Sequence, residues 1–205
     1  MGKLEEWKKE VIQHKSLIWI SLVFLLIAII LNYAAGEYVE DIGTVAVPDI
    51  ILDHIPIINL TLLFTWGIAI VIILIFAYPL LYKVKELHIA ISQFSLLVLI
   101  RSFFITLTHL KAPAGAIIIN SRLLGFLDFQ NALFFSGHTS IPFLGFLLFR
   151  KEKIGIFFLI ATIIMALTVL FMHVHYSIDV FAALFITYGS YKIGNWLFSK
   201  INHKK

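Results

Sequence analysis

Residues 172–179 read Met172-His173-Val174-His175-Tyr176-Ser177-Ile178-Asp179 and lie between two strongly apolar runs. Two imidazoles and a carboxylate at the rim of a hydrocarbon slab are costly to keep, so their presence there points to function. A helix starting in this stretch puts His175 and Asp179 at i and i+4 on one face. The carboxylate can then hold the imidazole in one tautomer and stabilise its cation, which is the orienting half of a nucleophilic site. A second polar island, Phe135-Ser136-Gly137-His138-Thr139, also opens an apolar run. The two islands form the expected functional core.

Hydrophobic residues make up 60% of the 205 positions and charged ones only 14%. A soluble domain of this length needs far more polar surface, so the composition predicts an all-α, polytopic membrane protein. Cysteine is absent, which excludes a disulfide framework, thiolate chemistry and a cysteine metal site, and leaves compartment unread from redox usage. No repeat, low-complexity linker or shift in composition marks a second domain, so one domain over residues 1–205 is expected. The formal charge of +4 is informative only through its distribution, and no nucleic-acid partner is expected.

Leu4, Trp7, Val11 and Ile12 share a helical stripe opposite Glu5, Glu6, Lys8, Lys9 and Glu10, which predicts a short interfacial helix. Six spanning helices follow, at about 16–35, 57–81, 88–110, 133–149, 154–172 and 176–198. The first resembles a signal peptide ending at Ala34-Ala35, but the acidic residues among its leading lysines favour a retained helix. Between the first two spans, Pro48-Asp49 can start a short amphipathic helix carrying Ile50, Ile51 and Ile55, with Asp49 and Asp53 solvated. Pro142 is expected to bend the fourth span. Tyr176 and Trp196 fit aromatic belts at opposite interfaces.

Orientation follows from lysine and arginine. One set of ends carries Lys3, Lys8, Lys9, Lys15, Lys83, Lys85, Arg150, Lys151, Lys153, Lys200, Lys204 and Lys205. The other carries Lys111 and Arg122. Both termini are therefore expected in the cytoplasm, with the His138 and His175 islands together on the external side.

At that depth lie phospholipid headgroups. A neutral imidazole can attack phosphorus to form a phosphohistidine, while a second, protonated one donates to the departing alkoxide. The environments of the two histidines must then push their pKa values apart. Ser136 and Gly137 precede a helix whose free N–H groups favour an anion, and glycine lets the backbone approach a phosphate. No cofactor is required by this chemistry.

Phe135-Ser136-Gly137-His138-Thr139 together with His173-Val174-His175-Tyr176-Ser177-Ile178-Asp179 resembles the phosphatidic-acid-phosphatase superfamily, most closely its sphingomyelin-synthase-like branch. Val47-Pro48-Asp49 with Asp53 and Pro56, and Leu99-Ile100-Arg101-Ser102 with Thr106 and Thr108, look like further segments of that branch. The resemblance covers Pro48 to Thr187. It implies a six-helix, metal-independent lipid phosphatase or phosphotransferase, with His175 as nucleophile, Asp179 as its partner and His138 acting on the leaving group. The substrate would be a phospholipid or lipid phosphate, with a lipid alcohol as a further acceptor. Several positions depart from the family. Its arginine before the last histidine is Leu170 here, and Lys111 with Arg122 does not reproduce its Lys-x6-Arg-Pro motif. Asn131-Ala132 replaces Gly-Asp, and Gly189 replaces a terminal arginine. Arg101 inside the third span is the leading candidate to neutralise the phosphate. Lys111, Arg122 and His173 are secondary ones.

Blander readings stand beside these. His138 could be an interfacial histidine, His175 with Asp179 a structural hydrogen bond, and Arg101 a snorkelling side chain or the partner of an external acid. His173, His175 and Asp179 could hold a metal, although residues i and i+2 diverge on a helix. The substituted positions also allow a non-catalytic lipid-binding or transport protein.

Overall fold

The computed structural model describes residues 2–42, 45–118 and 133–202. Within them lie six α-helices: α1 (Lys3–Ile42), α2 (Thr61–Tyr82), α3 (Val84–Leu107), α4 (Gly137–Phe149), α5 (Lys153–Phe171) and α6 (Ser177–Asn202). A 3-10 turn at Leu52–His54 and one isolated bridge between Val45 and Leu110 complete the described secondary structure. The fold is all-α. Helices α1, α2, α3 and α5 are long and apolar enough to cross a bilayer, which marks an integral membrane protein. Helix α4 is shorter, at 13 residues, and runs unbroken through Pro142.

The expected interfacial helix does not exist as a separate element. Residues 3–42 form one helix of 40 residues, about 60 Å long at 1.5 Å per residue. No proline or glycine interrupts the chain between Lys3 and Ala35. Packing supplies the rest of the reason. Among the buried and half-buried positions of α1, Trp7, Val11, His14, Ile18, Ser21, Leu25, Ala28, Asn32, Ala35 and Val39 are spaced alternately four and three, flanked by Glu10, Leu17, Phe24 and Gly36. That is a coiled-coil seam of period 3.5, and it lies mainly along α3. Trp7 and Val11 begin this seam, whereas Leu4 and Ile12 face outward. Trp7 Nε1 donates to the Leu80 carbonyl at 2.7 Å, and Glu10 pairs with Lys85 at 3.3 Å.

The helices alternate in direction, so the ends near Leu80, Lys83, Lys85 and Glu152 gather on one side. Lys83 donates there to Glu152 and, at 3.4 Å, to Glu86. Its hydrogen bond to Glu152 raises the Lys83 pKa and lowers that of Glu152. Between α3, α4 and α6 the core consists of Phe94, Leu97, Phe135, Leu144 and Ala183. Glycines let helices approach closely, as membrane packing favours. The Phe158 ring of α5 lies over Gly145 of α4, and the Gln93 carboxamide of α3 lies against Gly194 of α6.

Candidate functional site

The end of α5 and the start of α6 are shaped by backbone capping. The Val174 N–H donates to Val169 O at 3.1 Å and the His173 N–H to Leu170 O at 3.0 Å. His173 itself has φ 54. This is a Schellman ending with a histidine where glycine is usual. It turns the chain so that α6 starts at once, with Tyr176 just outside it and Asp179 at its third position.

Asp179 is fully buried. Its Oδ2 accepts the Tyr176 N–H at 3.0 Å and stands 3.3 Å from His175 Nδ1. The first contact is the reach-back half of a capping box, so the same carboxylate starts the helix and orients the imidazole. Because a carboxylate only accepts, this pair places the proton on Nδ1 and leaves Nε2 of a neutral His175 with its lone pair. Among the described residues, no donor reaches Asp179 Oδ1.

The second island meets the first through the backbone. The Ser136 N–H donates to the Asp179 carbonyl at 3.2 Å, which ties the start of α4 to the start of α6. Ser136 does not cap α4 with its side chain, whose oxygen instead accepts from Thr139 Oγ1 at 3.3 Å. The Gly137, His138 and Thr139 N–H groups meet no acceptor among the described residues, leaving an end suited to an anion. His138 stacks on Phe64 of α2, with ring centroids 3.7 Å apart. Its Nε2 is buried without a described partner.

Arg101 reaches the same place from α3. Its Nε donates to the Phe135 carbonyl at 3.0 Å and its Nη1 to Asn32 Oδ1 at 3.3 Å. A β-carbon built on Gly137 would lie 3.5 Å from Arg101 Nε, so the guanidinium flanks the α4 N-terminus. His138, His175, Asp179, Ser136, Gly137 and Arg101 are therefore neighbours.

His173 stands at the turn just ahead of this group. Its Nδ1 lies 3.3 Å from Ala114 O, and the side chain lines a cleft of about 410 Å³ with Asp49, Asp53 and Pro113. Among the described residues no three groups of metal-binding type converge. Lys111 joins the site region through its carbonyl, which accepts from Tyr176 Oη at 2.9 Å. Arg122 and Asn131-Ala132 lie outside the described residues.

Two expectations are corrected. Tyr176 is not a belt residue: it is 1% exposed, and its hydroxyl also accepts from the Val47 N–H at 3.1 Å. Asp49 is not merely solvated. Its Oδ1 accepts from the Ile51 and Leu52 N–H groups and its Oδ2 from the Ser177 N–H at 2.7 Å. Burial would raise the Asp49 pKa, but these hydrogen bonds outweigh it and hold the carboxyl below its ordinary value. Sequence reasoning also missed Asn32 and Phe64. Asn32 left a signal, as a carboxamide inside an otherwise apolar span; Phe64 left none. The chain matches no protein-family model, no curated protein and no solved structure.

Proposed function

We propose that this protein is a membrane-embedded lipid phosphatase or phosphotransferase that acts through a phospho-His175 intermediate. The observation that carries the reading is the His175–Asp179 pair set against His138 at the uncapped start of α4. His175 Nε2 attacks phosphorus, forming a P–N bond while the bond to the leaving oxygen breaks. Asp179 takes the strengthening hydrogen bond from Nδ1 as the ring becomes cationic. Protonated His138 gives its proton to the departing oxygen and then serves as base for the incoming water or lipid hydroxyl. Arg101 and the Gly137–Thr139 N–H groups balance the phosphate charge.

On this reading all six helices span. Both termini face the cytoplasm, and the site opens at the external leaflet beside lipid headgroups. The resemblance to the phosphatidic-acid-phosphatase superfamily supports the chemistry. The absent family arginines at Leu170 and Gly189 make Arg101 the principal cation, and His173 is left to shape the turn rather than to bind phosphate.

Purified protein in detergent, given a panel of lipid phosphates and phospholipids with and without diacylglycerol or ceramide, is the test. Mass spectrometry should show phosphate release or a new phospholipid, and acid-labile phosphate should be trapped on His175. If His175→Ala turns over every substrate as fast as the native chain, the proposal fails. Lipid binding without turnover would leave a non-catalytic carrier.

A further inference from the structure

We infer that Asn32, on α1, is a positioning residue for Arg101, so that α1 completes the phosphate site. The inference rests on the phosphohistidine reading above and concerns a helix outside the stretch that carries the family resemblance. Asn32 is 7% exposed and occupies the α1 seam between Ala28 and Ala35. A carboxamide buried in an apolar span is costly unless bonded, and its Oδ1 accepts from Arg101 Nη1 at 3.3 Å. Phe135 O takes the Arg101 Nε–H at 3.0 Å from another side. Two neutral acceptors on separate elements are thus among the partners that hold the guanidinium beside Gly137.

The choice of an amide matters. A neutral acceptor orients the guanidinium and leaves its charge for an anionic ligand, whereas a carboxylate of the same shape would neutralise it. An apolar side chain would remove the Nη1 acceptor while the Phe135 carbonyl still held Nε. Asn32 therefore sets both direction and effective charge without touching the substrate.

Orthovanadate, a mimic of the pentacoordinate phosphoryl group, is the probe, titrated calorimetrically into the detergent-solubilised full chain. Asn32→Asp preserves shape and keeps the thermal midpoint near that of the native chain, yet weakens vanadate binding at least tenfold at neutral pH. The loss shrinks as pH falls and the new carboxylate protonates in the company of Arg101, Asp179, His138 and His175. Asn32→Ala, if it folds, weakens binding less than Asn32→Asp does. Vanadate affinity within twofold of native in the folded Asn32→Asp variant overturns the inference while the phosphohistidine reading stands. A native chain that binds no vanadate overturns both.

Discussion

Asp49 and Ser177 are 128 positions apart, yet the Asp49 carboxylate accepts the Ser177 backbone N–H at 2.7 Å. This bond anchors the start of α6, and hence the His175–Asp179 pair, to the segment between α1 and α2. It also places a negative charge at the positive end of the α6 dipole. Removing it by Asp49→Ala should cost about 1–2 kcal/mol, the usual value of a helix-starting cap. Because the folded Asp49 pKa is depressed, its contribution is complete above the ordinary carboxylate range, near 3.8, and is lost as pH falls through the folded value. Thermal midpoints of native and variant chains should therefore converge in acid. A constant gap down to pH 2 would contradict this.

Asp179→Asn separates two duties of one carboxylate. The amide oxygen still accepts the Tyr176 N–H, so α6 should start normally and the thermal midpoint should stay close to native. The anion that supports the His175 cation is gone, and turnover should fall by about 100-fold or more. Steady-state rates beside thermal scans decide it. A rate within threefold of native would remove Asp179 from the chemistry.

The pH–rate profile should be bell-shaped. In the proposed mechanism attack needs a neutral His175 and release of the leaving oxygen a protonated His138, so each limb reports one imidazole. His138→Gln should abolish the limb due to the acid. Phosphohistidine formation measured by rapid quench across the neutral range reads this directly. A profile that only rises or only falls would exclude paired histidines.

Three glycines give opposite stability predictions. Nothing lies within 4 Å of a β-carbon on Gly189, so Gly189→Ala should stabilise α6 by about 0.5–1 kcal/mol through helix propensity. On Gly155 a β-carbon would collide with the Phe149 carbonyl and stand 3.0 Å from Arg150 Cα, both backbone, so Gly155→Ala should destabilise by about 1–3 kcal/mol. Gly194→Ala should displace Gln93 from Asn195 and the Tyr191 carbonyl, at a similar cost. Thermal unfolding in one detergent ranks the three.

His173→Gly distinguishes a turn from a phosphate ligand. With φ 54, the position suits glycine, so the substitution should leave the thermal midpoint unchanged or higher. Turnover should be retained, because the described contacts of His173 go to Ala114 and the end of α5. A large loss of turnover in a stable variant would return His173 to the chemistry.

Much of this was legible along the chain because it is local. Apolar run length predicted the helices, since a segment that crosses hydrocarbon must satisfy its own hydrogen bonds. The i, i+4 spacing predicted that His175 and Asp179 would meet, and the structure sets them 3.3 Å apart. Periodicity over the first ten residues misled, because a stripe too short to separate 3.6 from 3.5 hid the seam that continues to Val39. The sequence by itself determined an all-α membrane protein and the chemistry offered by its two polar islands. Only the tertiary structure decided what surrounds them. It set Asn32 on Arg101, Phe64 on His138 and Asp49 on Ser177. Those contacts join helices far apart in the chain, and no local period encodes which side chains will face each other across a packed interface.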